Sequence, residues 1–388
     1  MPPAGPKERC ELMQLKGFLT TATTVFVLGL PMVAVRPALA DRVLYVDDQG
    51  RVTERVGKVL AQTEQELLLL APDGQMYLLQ SDRVRKVTVD QEPLRPLGAA
   101  EVARRLQEEF GPGYQTLMSR HYVVVYNTER LYARATATML ERLFAAFTRY
   151  YRLRGFEIQR AEFPLVAVLF RTRAEFVAYA QRELQSVDER INGYYSLETN
   201  RLALHQVLRG RGHARGRLSP ENVSTIAHEG VHQLAFNVGF LRRFSDPPLW
   251  LVEGMAMYFE VPGGRPGGWG GAGSVNRTRL QQFLRYARSG RSNDSLRSLI
   301  ASDDRIRQLD QAVDAYAEAW ALTYYLVRTQ PKRYFEYLQH LGRKPYLWQS
   351  SPEERVREFE QFFGPLEALD GRLVQYMRVL AMARGRGR

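Results

Sequence analysis

His228, Glu229 and His232 lie within the run Ala227-His228-Glu229-Gly230-Val231-His232-Gln233 of a 388-residue chain. Two histidines four positions apart on a helix share one face, because each residue turns the chain by about 100°. Both imidazoles can then reach one metal ion, and the acid beside the first histidine is placed to take or return a proton there. Five positions with two of them free are a modest signal, and the bland reading is a pair of polar surface histidines. A second motif adds what the first lacks. Trp250-Leu251-Val252-Glu253-Gly254-Met255-Ala256 follows Asp246-Pro247-Pro248, and a helix starting there can carry Glu253 back against the first helix. His228, His232 and Glu253 would supply the three protein ligands of a catalytic zinc site and leave a fourth position open. The bland counterpart for Glu253 is a helix-start carboxylate.

The element that must present the histidines is marked at its start. Ser219 can accept from the free N–H groups of a first turn, Pro220 suits the first helical position, and Glu221 complements the positive end of the dipole. The pattern predicts a helix over Ser219 to Phe240. Val223, Ile226, Ala227, Val231, Leu234 and Val238 form its apolar stripe, and the two histidines run along the stripe's edge.

The HEGVH and WLVEGMA pair resembles the gluzincin metallopeptidases, and more closely the peptidase-MA-like family long catalogued as a domain of unknown function. The likeness runs from about His121 to Leu341, with Asn192-Gly193-Tyr194-Tyr195 before the helix and Ala315-Tyr316-Ala317-Glu318-Ala319-Trp320-Ala321 after it. It implies an α+β fold: a mixed sheet with the active-site helix, then an all-helical lower half. It also implies Zn²⁺ held by His228, His232 and Glu253, with Glu229 as catalytic base of a peptidase acting on protein or peptide substrates, an endopeptidase rather than an exopeptidase. An edge strand before the zinc helix would line the cleft, a place that Leu202 to His205 would take here. Two departures stand out. Met257 occupies the position where thermolysin-like enzymes carry an outer-sphere acid, and the G-x-M-E-N motif of zinc aminopeptidases is absent. Asp314 or Glu318 could instead accept the outer N–H of a zinc-bound histidine. Tyr316 or Tyr258 could donate to an oxyanion. Each of these four has the alternative of an ordinary packed or solvated helix residue.

The remaining chain sets the context. Lys7, Arg9 and Lys16 precede an apolar stretch, and Ala38-Leu39-Ala40 offers a cleavage site, so residues 1–40 read as a secretory signal peptide, with an uncleaved anchor as the competing reading. Export, to periplasm, envelope or medium, follows either way, and with cleavage no stable membrane span is left. Cys10 is the sole cysteine, so packing and metal must stabilise the mature chain without disulfides. The formal charge of +12 becomes +10 without residues 1–40, which hold four Lys or Arg and two Glu. That balance suits an anionic envelope polymer as partner, or solubility alone; nucleic acid is not expected, for want of a binding motif. Residues 41–90 alternate short apolar runs with turns such as Pro72-Asp73-Gly74 and resemble a small SH3-like β-barrel. Residues 91–118 read as a linker with a short helix, 119–345 as the metallopeptidase domain and 346–388 as C-terminal helices with a basic tail. The Arg209–Arg217 loop could steer an acidic substrate or be merely solvated, and the glycine-rich stretch over 261–273 could be a lid or a linker. A non-catalytic envelope-binding protein that retains the fold is the alternative function.

Overall fold

The computed structural model describes residues 39–184, 191–207, 217–262 and 269–385. The signal segment up to residue 38, most of the basic loop (208–216), the glycine-rich residues 263–268 and the last three residues of the tail lie outside the described residues. The architecture is mixed α+β: an N-terminal antiparallel sheet, a mixed sheet, then a helical lower half.

Strands β1 (Leu39–Val46), β2 (Val52–Gln62), β3 (Glu66–Leu70), β4 (Met76–Gln80) and β5 (Val84–Pro93) form the first sheet in the order β4-β3-β2-β1-β5. β2 changes partner along its length, its first half pairing with β1 and its second with β3, with a register shift between Val59 and Ala61. β4 and β5 stand at the two ends of the order, and no pairing between them closes the sheet into a barrel among the described residues. Because successive side chains in a strand face opposite ways, β3 serves two cores. Leu67 and Leu69 pack with Val43, while Leu68 and Leu70 join Met76 in the main core. The unit is also bound by its backbone. Met76 N–H donates to the Glu198 carbonyl at 2.7 Å, and buried Arg243 donates to the Gly74 and Leu197 carbonyls at 2.9 and 3.0 Å.

After α1 (Ala99–Phe110) come β6 (Gln115–Met118), β7 (Tyr122–Tyr126), α2 (Arg130–Arg152), β8 (Leu165–Phe170), α3 (Arg173–Glu183), β9 (Gly193–Tyr195) and β10 (Arg201–His205). The second sheet runs β6-β7-β8-β10-β9, parallel at β7-β8 and β8-β10 and antiparallel at both margins. Two expectations change here. Leu202–His205 is not an edge strand, since β10 is paired on both sides and β9 is the margin. β6 lies in the stretch read as linker and helix. Along α2, Met139, Leu143 and Phe147 are buried but Leu131 is 54% exposed. Positions spaced strictly by four precess by about 40° per step, so a row of them leaves the buried face within a few turns.

The lower half comprises α4 (Pro220–Asn237), α5 (Leu249–Phe259), α6 (Arg277–Ser289), α7 (Ser295–Ala301), α8 (Asp304–Arg307), α9 (Ala312–Thr329), α10 (Pro331–Gly342), α11 (Pro352–Phe363) and α12 (Leu366–Gly385). No helix among the described residues is long and apolar enough to cross a membrane. α5 is its centre: every residue from Leu249 to Phe259 is buried. Its first turn is fixed from outside, as Asp303 accepts from the Leu249 N–H at 3.0 Å and buried Arg355 holds Asp303 and Asp246 together, each at 2.8 Å. Gly254 lets α5 lie directly on α9. A methyl group there would stand 2.0 Å from Thr323 Oγ1 and 2.8 Å from the Ala319 carbonyl oxygen. The hydroxyl can rotate away but the carbonyl cannot, so Gly254→Ala should cost about 1–3 kcal/mol through displacement of α5. Denaturant unfolding checks this, and a variant as stable as the parent would show that the two helices have room to part.

Candidate metal centre

α4 begins as its sequence predicts: Ser219 accepts from the Asn222 N–H, and Pro220 occupies the first turn. The six stripe residues are buried, but so is nearly the whole helix from Asn222 to Phe236. The histidines are therefore interior groups, 2% and 1% exposed, and not residues at a stripe's edge. The helix is wedged between α2, α5 and the β9–β10 margin, which closes over the face that the stripe leaves open. Gln233 anchors that face, donating to the Val166 and Asn200 carbonyls at 3.0 and 2.9 Å.

α5 carries Glu253 to the histidines. Its carboxylate lies 3.1 Å from His228 Nε2 and 3.6 Å from His232 Nε2, so both imidazoles converge on one acid through the same ring nitrogen. His228, Glu229 and His232 also bring one potential ligand atom each to within 4.8 Å of one another. The Tyr195 backbone N–H, on the margin strand β9, donates to the Glu229 carboxylate. Burial pushes that carboxyl up to about 8, against the charge of His228 and with the help of Glu253 and Glu260. Burial raises Glu253 as well, against its contact with His228. His232 is driven well below its ordinary value by burial and by His228, so it is a neutral imidazole with a lone pair to offer.

The other nitrogen of His228 has its own acid. Nδ1 stands 2.8 Å from Glu260 Oε2, while Glu260 Oε1 accepts from Asn276 Nδ2 at 2.6 Å and lies 3.9 Å from Arg279 Nε. Burial, the largest influence, would raise Glu260, but His228, Arg279 and Asn276 together outweigh it and hold the carboxyl below its usual range. Glu260 thus fills the place for which Asp314 and Glu318 were candidates. Glu318 is engaged elsewhere, accepting from Arg291, Arg305 and Ser295. Glu260 follows Glu253 by seven residues, nearly two helical turns, so it returns to the same side of α5. That spacing is the signal a reading of the motifs alone passes over. Tyr316 is buried on α9 with its ring 5.6 Å from the Arg279 guanidinium, one layer out from Glu260. Tyr258 is engaged elsewhere, accepting from the Tyr150 hydroxyl at 3.1 Å.

These positions fit a cation. A neutral imidazole has one N–H, so His228 cannot donate to Glu253 and Glu260 at once. With Nδ1–H on Glu260, the Nε2 lone pair of a neutral His228 faces a Glu253 carboxyl oxygen at 3.1 Å, a contact that is favourable only with a proton or a cation between the two. His232 Nε2 and Glu253 Oε1 are buried without a hydrogen-bond partner among the described residues. Ligand atoms bound at about 2.1 Å to one tetrahedral ion stand about 3.4 Å apart; His228 Nε2 lies 3.1 Å from Glu253 Oε2 and His232 Nε2 3.6 Å from Oε1, each close to that value. Buried Glu229, Glu253 and Glu260 bring three carboxylates together, against which Arg279 is the cation in ion-pair range among the described residues. The group could therefore bind a divalent metal.

Residues 222–347 match the family described as a protein of unknown function, DUF1570, a span that holds every residue of this group. No curated protein matches the chain.

Glu253→Gln separates a metal ligand from a packing residue. In the presence of a chelator the variant should unfold at or above the temperature of the parent, because a buried carboxylate has been removed. With saturating Zn²⁺ the order should reverse, since ligand binding stabilises by about 4 kcal/mol when free metal is a thousandfold above Kd and the variant binds less well. Thermal melts under both conditions decide, and an unchanged order would remove Glu253 from the ligand set.

Proposed function

We propose that the chain is an exported zinc metallopeptidase of gluzincin type, with an SH3-like module ahead of it, that hydrolyses internal peptide bonds of a protein or peptide substrate. The observation that carries the proposal is the convergence of His228, His232 and Glu253 beside a Glu229 whose environment favours a proton acceptor. His228, His232 and Glu253 would hold the ion through Nε2, Nε2 and the carboxylate. Zinc, when bound, lowers the pKa of water to near 7 and polarises a carbonyl.

Glu229 supplies the proton transfers. Its carboxylate is buried and fixed by the Tyr195 N–H, so it meets an attacking water without first reorganising its surroundings. The high affinity for a proton that burial confers falls when a divalent charge lies nearby, which returns the group to the ionised state that a base needs. After attack, the protonated Glu229 hands its proton to the departing amine. The His228–Glu260 pair keeps the His228 Nε2 lone pair directed inward, and neutral His232 has a lone pair to add. Tyr316, within the layer around Arg279, stands as the candidate donor to the oxyanion. The envelope-binding alternative gives no use for an acid held in this way, since binding alone needs no buried proton acceptor.

Glu229→Gln keeps size and accepts the Tyr195 N–H but takes no proton at neutral pH. Zinc content should match the parent, and turnover of casein or a peptide library should fall by about 10²–10⁴. Cleavage by the Gln variant at the parent's rate would exclude Glu229 as base.

A further inference from the structure

Glu260 is placed where a carboxylate has no stabilising reason of its own to be. It caps the C-terminal end of α5, where the helix dipole is negative, and it is buried. Three partners compensate: His228 Nδ1, Asn276 Nδ2 and Arg279. The Asn276 side chain has a second task. Its Oδ1 accepts from the Arg279 N–H as the N-terminal cap of α6, while its amide group donates to Glu260. One buried side chain therefore joins the start of a helix to the outer nitrogen of a metal-site histidine.

We propose that Glu260 and Asn276 form a positioning pair that holds His228 with Nε2 turned toward the metal position beside Glu253 and couples metal loading to the docking of α6. This rests on the metal site proposed above and extends it to residues outside the ligand set. Glu260 accepts the Nδ1 proton, and Asn276 keeps the accepting oxygen in line by occupying the other one. Outer-sphere partners of this type commonly account for 10–100-fold in metal affinity. Coupling is reciprocal: whatever the anchored α6 adds to metal affinity, metal adds to the anchoring of α6.

The two ends of Asn276 make the proposal testable without loss of the fold. Asn276→Asp retains a cap as good as asparagine but sets an acceptor against Glu260 in place of a donor. Glu260→Gln retains an acceptor for His228 but removes the charge and competes for Asn276. The experiment measures zinc affinity of apo-protein by competition with a chromophoric chelator for the parent, both single variants and the double variant, with circular dichroism to verify helix content. Hydrogen exchange over residues 277–283 is followed with and without zinc. Each single variant should bind zinc about 10–100-fold more weakly. The double variant should be little worse than either alone, because the two residues act through one contact. Zinc should slow exchange in the first turns of α6 in the parent and not in Asn276→Asp. Two folded single variants with parental affinity would overturn the proposal while leaving the metal site intact, and so would full additivity or zinc-independent exchange in the parent. A parent that binds no zinc would overturn the metal site itself and this proposal with it.

Discussion

Placing Glu229, Glu253 and Glu260 together in the protein interior, with two imidazoles among them, is the constraint on which the rest of the structure depends. Each ionised carboxylate loses its hydration there, at a cost of several kcal/mol even after relaxation. Only Glu260 recovers it from neighbours in the described chain, through His228, Asn276 and Arg279. Glu229 and Glu253 do not, and both are displaced toward the protonated form. A divalent ion held by His228, His232 and Glu253 would remove the conflict: it would give the orphaned His232 Nε2 and Glu253 Oε1 a partner and offset the excess negative charge.

The scaffold is arranged to make this costly cluster rigid. α4 presents the histidines from a helix enclosed on all sides, and α5 presents Glu253 and Glu260 from a helix without an exposed residue. Gly254 brings α5 onto α9, the Arg355–Asp303–Asp246 cluster holds its first turn, and Asn276 ties its C-terminal cap, Glu260, to α6. The margin strand β9 is set close under α4, where a methyl at Gly193 would stand 2.6 Å from Leu204 and 2.8 Å from Thr225. That closeness lets the Tyr195 amide reach Glu229. Rigid positioning of this kind is what a metal site with three ligands and an outer shell requires.

What could be read from the sequence follows the range of each interaction. His228 and His232 are one turn apart, so helical geometry alone pairs them, and the capping chemistry of Ser219 and Pro220 located the helix start. Glu253 was reachable because a second motif marked it. Glu260 was not, since its meaning arises only when His228 arrives from another helix, and Met257 drew attention to the turn before it. The order of strands is likewise nonlocal: nothing in Leu202–His205 says that β8 will pair with its other side and leave β9 at the margin. β6 is four residues long and half exposed, too short and too mixed to show a period. The five N-terminal strands can be counted, but their order and their docking through Leu68, Leu70 and Arg243 depend on surfaces that the strands meet only after folding.

The proposed zinc site is built from α4 and α5. X-ray absorption at the zinc edge, with elemental analysis of protein purified without added metal, tests it most directly. One zinc per chain is expected, with two nitrogen ligands and at least one carboxylate oxygen at about 2.0–2.2 Å, lost together when His228 and His232 are replaced. A folded protein that retains no divalent metal and takes up none, or a zinc whose coordination is unchanged by those replacements, would contradict it.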